Sequence, residues 1–385
     1  MGFLFYDIIF FIIFCFIAGF FLLKHKKNVK REGIIILCRT KFGLNFIDKI
    51  VKRYPRFFNF LSNAFIIIAF IGMAVILFML AFGNYKLAFM PTKEAAAAPF
   101  PVFPILPWIR IPGLPMIYFT HWIIVIFIVA IVHEGFHGIF SRLNRVKLKS
   151  SGFGFLGPIA LAFVEPDEKQ LSKKSAKAQL SVFSAGPVAN LAAALLIFLI
   201  FSFVISPLYL AAIKEIKIAV INVEKDTPAY TAGIEKGDVI SINNINATNL
   251  SAFFLQLKPN QKLNITIENK NKSVTLITTA HPTNSSRGYI GVGVSYVPQF
   301  EGLGKIFPFA LILFFWIWLA NFFVGLVNLL PLWIFDGCRL FYIAALTRTK
   351  SKKKARKITN AASSISLFLI LLMIFIWIIR RAYGI

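Results

Sequence analysis

Acidic residues and cysteines are scarce in this sequence. Only 16 Asp and Glu stand against 42 Lys and Arg, which gives a formal net charge of +26. The basic residues lie in clusters between long apolar runs, where the Lys and Arg of membrane proteins face lipid headgroups. We therefore expect membrane lipid, and no nucleic acid, as the partner of this charge. The three cysteines, Cys15, Cys38 and Cys338, have no disulfide or metal-ligand spacing, so no disulfide is expected.

Basic residues are also absent ahead of the first apolar run, at the N-terminus. A cleavable signal peptide carries positive charge there and a small-residue cleavage site after it, so we expect this run to stay as a membrane anchor. The chain is 58% hydrophobic, with 44 Phe among its 385 residues, which excludes a soluble domain of ordinary composition. The sequence predicts an integral protein of the cell membrane.

Six apolar runs are long enough to cross the hydrocarbon core as helices, at residues 2–23, 64–82, 118–140, 181–207, 306–330 and 363–380. Lys and Arg number 11 in loop 24–56, 8 in loop 141–180 and 8 in loop 331–362, against 3 in loop 83–117. The three basic loops should be cytoplasmic, because positively charged loops stay inside. Alternation then places both termini and residues 208–305 outside the cytoplasm.

Two segments between the spans differ from their surroundings in composition. Residues 98–104 (APFPVFP) are rich in proline, cannot continue a helix and are expected to form a loop on the outer surface. Residues 150–166 are apolar but too short and too rich in glycine for a spanning helix. This composition favours a re-entrant hairpin or a strand that lies against the membrane.

Residues 217–297 have the composition of a soluble α/β domain, with Val, Ile and Thr runs at 263–267 and 274–278 separated by Asn, Lys and Gly turns. Residues 227–243 (TPAYTAGIEKGDVISIN) resemble the core of bacterial-type PDZ domains, in which a short helix leads into a Gly-Asp turn and a strand. We expect a PDZ-like domain, inserted between the fourth and fifth spans and lying outside the cytoplasm.

The third span contains His133, Glu134 and His137 in the pattern H-E-x-x-H, a metalloprotease signature. Positions four apart lie on one face of a helix, so both imidazoles can bind one metal ion while Glu134 contacts a water beside it. The chain has only 5 His, and ionisable side chains inside an apolar span are costly to bury. Chance is therefore the weaker explanation, and the pattern predicts a metal site.

A hydrolytic zinc site usually takes three protein ligands, so a third ligand must come from elsewhere in the chain. The candidate is Asp336, at the end of the fifth span within residues 328–337 (NLLPLWIFDG). Taken alone, Asp336 with Gly337 is typical of a turn at a helix end. Topology favours the ligand, because the third and fifth spans both run toward the cytoplasm and bring Asp336 to the depth of His133 and His137.

With these motifs the chain resembles the site-2 protease family of intramembrane zinc metalloproteases. The family has H-E-x-x-H in one transmembrane helix and N-x-x-P-x-x-x-x-D-G in a later one, often with a PDZ domain between them, and the resemblance covers about residues 118–345. It implies that Zn²⁺ is bound by His133, His137 and Asp336. It also implies Glu134 as the catalytic base and Asn328 as a residue that holds the substrate or the developing oxyanion.

Other polar residues in or near the spans are given lesser roles. The family's motif G-x-x-x-N occurs from Gly186 to Asn190, where we expect close packing of helices. Cys338 is a poor fourth ligand, because a hydrolytic site needs an open position. His121 is expected to be interfacial, and Asp7 to be solvated or locally paired.

The sequence thus predicts an α-helical polytopic membrane protein of about six transmembrane helices with an inserted small α/β PDZ-like domain. The expected divisions are N-terminal helices and loops at 1–117, a metalloprotease core at 118–207 and 306–345, the PDZ-like domain at 217–297, and a basic loop with a C-terminal helix at 346–385.

The expected function is hydrolysis of transmembrane protein substrates by an intramembrane zinc metalloprotease, in regulated intramembrane proteolysis. The alternative is a non-catalytic membrane scaffold or receptor, with a structural metal site and a PDZ-like domain that binds partners. The enzyme is favoured because a structural site is typically closed by four ligands and has no need of Glu134. Residues 150–163 would either hold an unwound substrate by β-addition or pack the helices, and the sequence leaves both open.

Overall fold

The computed structural model describes residues 3–24, 29–33, 35–91, 105–156, 159–242 and 250–383. The chain forms two compact units, one of residues 1–201 with 310–385 and the other of residues 202–309. The proline-rich segment 98–104 lies outside the described residues, as do Gly157, Pro158 and Asn243 from the predicted hairpin and PDZ-like motif.

The helices of the described residues are, in chain order, α1 (Phe3–Lys24), α2 (Leu44–Arg53), α3 (Pro55–Phe89), α4 (Phe119–Leu143), α5 (Glu168–Leu171), α6 (Ala176–Ile200), α7 (Ser206–Ala212), α8 (Pro228–Thr231), α9 (Leu250–Gln256), α10 (Phe307–Val327), α11 (Asp336–Thr349) and α12 (Lys352–Tyr383). A π-helical turn, Phe201–Ile205, joins α6 to α7. Six of these helical stretches are long and apolar enough to cross a membrane: α1, α3, α4, α6 with α7, α10 and α12. The prediction of a polytopic helical membrane protein is confirmed.

Several spanning helices are longer than the apolar runs that predict them. The helix α3 has 35 residues, and α12 has 32 and begins with three consecutive lysines from Lys352. Hydropathy marks only the part of a helix that lies in hydrocarbon, whereas the helix itself continues into the headgroup region, where Lys and Arg are solvated.

A four-stranded antiparallel sheet belongs to the first unit. Its strands are β1 (Val29–Glu32), β2 (Ile35–Thr40), β3 (Leu148–Leu156) and β4 (Ile159–Pro166), in that spatial order. The hairpin expected in residues 150–166 is present as β3 and β4, and β4 is an edge strand. The pairing of β2 with β3 is not predicted by the sequence. It requires Gly152, because a Cβ there would overlap the carbonyl of Cys38.

Two helices of this unit, α2 and α11, are also not predicted from the sequence, which shows them only as parts of basic loops. The helix α2 is amphipathic: Leu44 and Ile47 are buried, whereas Phe46 is exposed. An ion pair of 2.8 Å between Arg142 Nε and Asp48 Oδ1 ties α2 to α4. The helix α2 therefore lies against the helix that contains H-E-x-x-H.

The main core of the first unit lies between α3, α4, α6 and α11. Phe140 of α4, Ala185 of α6, Leu329 after α10 and Leu340 of α11 are completely buried in it. Close packing of these side chains fixes the separation of the elements that contain them. The polar residues on the same elements are positioned as a consequence.

The second unit contains the strands β5 (Glu215–Val223), β6 (Val239–Ile242), β7 (Lys262–Ile267), β8 (Lys272–Ile277), β9 (Thr279–His281), β10 (Asn284–Tyr289) and β11 (Val292–Gln299). Five form an antiparallel sheet in the order β11-β5-β6-β7-β8, and β9 pairs with β10. The strand β7 alternates exposed and buried residues, and its Leu263, Ile265 and Ile267 enter the core. An inserted α/β domain is confirmed, and its PDZ-like character stays a prediction.

Candidate metal centre

The helices α4 and α11 bring three potential ligand atoms together. His133 and His137 lie one turn apart on α4, with their Nε2 atoms 3.2 Å from each other. Asp336, in the first turn of α11, places Oδ2 3.2 Å from the Nε2 atom of His133 and 3.1 Å from that of His137. The structure thus brings together the three side chains that the sequence predicts as ligands.

The position of Asp336 depends on the turn before it. The helix α10 ends one residue before Asn328, so Asp336 starts a separate helix and does not end the fifth span. The Gly337 N–H donates to the Asn328 carbonyl at 2.7 Å, and a Cβ on Gly337 would overlap the carbonyl of Leu329. Glycine after Asp336 therefore permits the close return of the chain. The start of α11 also stabilises a carboxylate through its dipole.

Each histidine is held through its other ring nitrogen. His137 Nδ1 lies 2.8 Å from the carbonyl oxygen of Val182, which can only accept, so Nδ1 has the proton. His133 Nδ1 lies 2.9 Å from Asn190 Oδ1. The Asn190 amide nitrogen donates to Asn321 Oδ1 at 3.0 Å, so the Asn190 oxygen accepts from His133. Both Nε2 atoms therefore present lone pairs to the carboxylate of Asp336.

This donor set fits a zinc ion. Two imidazole lone pairs and a carboxylate oxygen repel one another unless a cation lies between them. Bonds of about 2.0–2.2 Å in a tetrahedral zinc site separate the ligand atoms by about 3.3–3.6 Å, slightly more than the 3.1 and 3.2 Å found here. Among the described residues, no other group of three His, Cys, Asp or Glu side chains offers a comparable metal site.

The centre opens into a cavity of about 300 Å³ that Glu134 and Asn328 also line. Glu134 Oε2 accepts the backbone N–H of Val164 at 3.1 Å, and the carboxylate has a second oxygen for other partners. The Asn328 amide donates one N–H to the Val324 carbonyl at 2.9 Å and has a second N–H to donate. Both residues therefore lie beside the ligands with hydrogen-bonding capacity left, and their roles stay predictions.

Comparison with known proteins assigns the family. The sequence model of peptidase family M50 matches residues 121–373, more than half of the chain and all of the centre. The chain belongs to peptidase family M50. It is also 29% identical over 344 residues to the uncharacterized protein MJ0971 of Methanocaldococcus jannaschii, with 88% of this chain and 84% of that protein covered. The site-2 protease resemblance is confirmed at the level of the family, whose members are membrane metallopeptidases.

The helix α6 of this M50 protein borders the centre in a way that the sequence alone does not reveal. A Cβ on Gly186 would overlap His137 Nε2 and lie 2.8 Å from ring carbons of His133. Gly186 thus gives the imidazoles their space, and Asn190, one turn later, holds His133. The motif expected to pack helices also supports the ligands. The sequence offers one signal for Asn190 and Asn321: an amide inside an apolar span is costly to bury without hydrogen-bond partners, so each amide should have one.

Cys338, considered as a fourth ligand, and His121, expected to be interfacial, both lie outside the metal centre. Cys338 Sγ is 3.8 Å from Ser363 Oγ, on α12. His121 is buried, with its ring 6.0 Å from that of Phe3 and 5.8 Å from that of Tyr118. Neither belongs to the group of described residues that could hold a metal ion.

Proposed function

We propose that this M50 protein hydrolyses peptide bonds within the transmembrane segments of other membrane proteins. The observation that carries the proposal is the convergence of three ligand atoms beside the carboxylate of Glu134. Glu134 and the two histidines lie on a helix of membrane-spanning length. Three protein ligands leave one position for water or substrate, as in hydrolytic zinc sites, whereas structural sites are closed by four. The geometry therefore favours an enzyme over a scaffold or receptor.

The residues have distinct roles in the proposed reaction. Zinc held by His133, His137 and Asp336 would supply a Lewis acid that acidifies water and polarises a carbonyl group. Glu134 accepts a proton from the attacking water as the water oxygen bonds to the carbonyl carbon. The free N–H of Asn328 donates to the carbonyl oxygen as negative charge develops there. Glu134 then transfers the proton to the departing nitrogen as the C–N bond breaks, so one water is consumed.

The strand β4 is the proposed holder of the substrate. A helical substrate hydrogen-bonds its own peptide groups and must be unwound locally before hydrolysis. The Val164 N–H of β4 donates to Glu134, so it points away from β3 and takes no part in the pairing of β4 with β3. An extended substrate added along β4 would pass the base and the ligands. This placement favours β-addition over the alternative that residues 150–163 only pack the helices.

The inserted domain has a separate proposed role. The insertion of residues 217–297 between the fourth and fifth spans, together with the basic loops, favours a location outside the cytoplasm in a protein of the cell membrane. We infer that this domain is PDZ-like and controls which substrates reach the centre, as regulated intramembrane proteolysis requires. It contributes no group to the chemistry.

The test of the function is co-expression with a panel of single-pass membrane proteins. We expect fragments cut within the transmembrane segment in cells with the wild-type protein and none with Glu134→Gln. The glutamine is isosteric and its oxygen can still accept the Val164 N–H, so the fold should be retained. Equal cleavage by the wild type and Glu134→Gln would refute a protease with Glu134 as its base.

A further inference from the structure

A second cavity begins at the catalytic base. It has a volume of about 520 Å³ and shares Glu134 and Val164 with the cavity of the metal centre. The helix α2, the helix α4 and the sheet line it, with Phe46, Ile131 and Phe153 as one residue from each. No step of the proposed reaction uses this space, although it starts where the peptide bond would be cut.

The lining of this cavity is suited to an apolar occupant. Its polar side chains are Thr40, Ser151 and Glu134. Thr40 Oγ1 donates to the Ser151 carbonyl at 3.1 Å, and Ser151 Oγ donates to the Phe42 carbonyl at 2.6 Å. Both hydroxyl groups therefore donate their hydrogen bonds to backbone carbonyls of the protein and not to an occupant of the cavity. Glu134 remains, at the end where the cavity meets the metal centre.

The strand geometry directs a substrate side chain into this cavity. Residues directly opposite each other in antiparallel strands lie on the same face, and Phe153 pairs with Ala162. Phe153 stacks on Phe127 of α4, with ring centroids 6.4 Å apart, so this face of the sheet lies over α4. In a peptide added to β4, every second side chain lies on that face. Of the substrate residues that pass Glu134, those on that face have their side chains at the cavity.

We propose that this cavity binds a large apolar side chain, such as Leu or Phe, of the substrate residue next to the scissile bond. The proposal rests on the proposed function and adds the substrate class of the cleavage position. Transmembrane segments supply such side chains at nearly every position. Selection of one large residue beside the cut would give a membrane protease a preferred bond within a uniformly apolar segment.

Gly135 offers a means to test the cavity. It follows Glu134 on α4 and lines the cavity, and a Cβ on it would meet no atom within 4 Å. Gly135→Leu therefore adds bulk to the cavity from a position where the first side-chain atom has open space. Gly19→Leu on α1 is the matched control, since Gly19 also has open space around its Cβ position. Replacement of glycine in either helix should not weaken the helix.

The experiment uses one transmembrane substrate with Ala, Leu or Phe on either side of its mapped cleavage site. Wild-type protein and Gly19→Leu should cut the Leu and Phe substrates roughly 10- to 100-fold faster than the Ala substrate, as pocket filling commonly gives. Gly135→Leu should reduce that ratio to about threefold or less, and Gly135→Ala should lie between. Zinc content of each variant reports that the centre is intact.

A photoreactive Phe analogue at the same substrate position gives a second readout that needs no turnover. In Glu134→Gln we expect its crosslinks on α2, α4 or β4, and loss of these crosslinks when Gly135→Leu is added. An unchanged ratio of rates in an active, zinc-containing Gly135→Leu protein, or crosslinks to lipid alone, overturns the cavity assignment and leaves the protease intact. Absence of cleavage by wild type of every substrate overturns the proposed function, and this assignment with it.

Discussion

At the residue scale, two buried amides determine how His133 faces the centre. Asn321 Nδ2 donates to the Ile317 carbonyl at 2.8 Å, so its Oδ1 is left to accept from Asn190. The Asn190 oxygen then accepts from His133 Nδ1. Both amides are completely buried, so water cannot replace a lost partner. Asn321 is thus a positioning residue that acts on His133 through Asn190.

Substitution of a ligand and substitution of the base should have different effects on the protein. Purified wild-type protein should contain about one Zn²⁺ per chain, and His133→Ala, His137→Ala or Asp336→Ala should contain much less, because each removes one of three ligands. Glu134→Gln should retain its zinc and lose hydrolysis, since the base is not a ligand. Elemental analysis of the purified variants measures this. Full zinc content in Asp336→Ala would contradict the assignment of the third ligand.

Asn321→Leu should weaken zinc binding by up to about 10-fold, because Asn190, which holds His133, loses its own partner, whereas loss of a direct partner of a metal-binding histidine costs about 10- to 100-fold. Competition with a chelator of known affinity measures the change. Asn84→Leu is the matched control, because Asn84 is a buried amide that bonds to the carbonyls of Leu80 and Leu369, in α3 and α12. Equal loss of zinc affinity in both variants would indicate general destabilisation and not positioning of His133.

At the element scale, α1 completes the start of α4. Asp7 is buried, and its carboxylate accepts from Phe119 N at 2.7 Å, from Thr120 N at 2.8 Å and from Trp108 Nε1 at 2.8 Å. The N-cap residue of α4, Tyr118, makes no side-chain capping bond. Asp7 therefore supplies the cap from a different helix, which satisfies backbone donors at a buried position. It joins α1 to the helix that contains the centre.

Asp7→Ala should lower the free energy of unfolding by about 1–3 kcal/mol, because several buried donors lose their acceptor. Thermal unfolding in detergent measures the loss. Asp7→Asn should lose less, since one oxygen remains to accept. Zinc content at low temperature should be unchanged in both variants, because the centre lies about 20 Å along α4, at 1.5 Å per residue. Loss of zinc without loss of stability would assign Asp7 a different role.

At the scale of the whole molecule, the basic loops predict the orientation in the membrane. A single cysteine placed at Ser285 should react with a membrane-impermeant reagent from outside intact cells, and one at Ser351 should not, because Lys- and Arg-rich loops stay inside. The background should be a chain whose three native cysteines are replaced. The reverse pattern of labelling would invert the topology and leave the metal centre unaffected.

Removal of the inserted domain tests its selective role. Replacement of residues 217–297 by a short flexible linker should retain zinc and cleavage of a substrate that lacks an outer domain. If the domain excludes large substrates, untrimmed substrates should now be cut as well. If it captures a new C-terminus, cleavage of trimmed substrates should slow instead. A folded, zinc-containing deletion variant that cuts neither kind would show that the domain does more than select.

The sequence by itself determined the features that depend on neighbours along the chain. Six spans follow from continuous apolar runs, because hydrocarbon requires a helix of defined length. The pairing of His133 with His137 follows from their spacing on one helix. The motif around Asp336 predicted a third ligand, and the structure places that carboxylate beside both histidines.

Only the tertiary structure decided which distant residues meet. Asn190 and Asn321 could each have packed a helix, and contact with His133 depends on how α4, α6 and α10 lie together. The pairing of β2 with β3 and the cavity beside Gly135 likewise join segments far apart in the chain. Local hydropathy and spacing do not predict such contacts, because the contacts depend on how side chains pack in three dimensions.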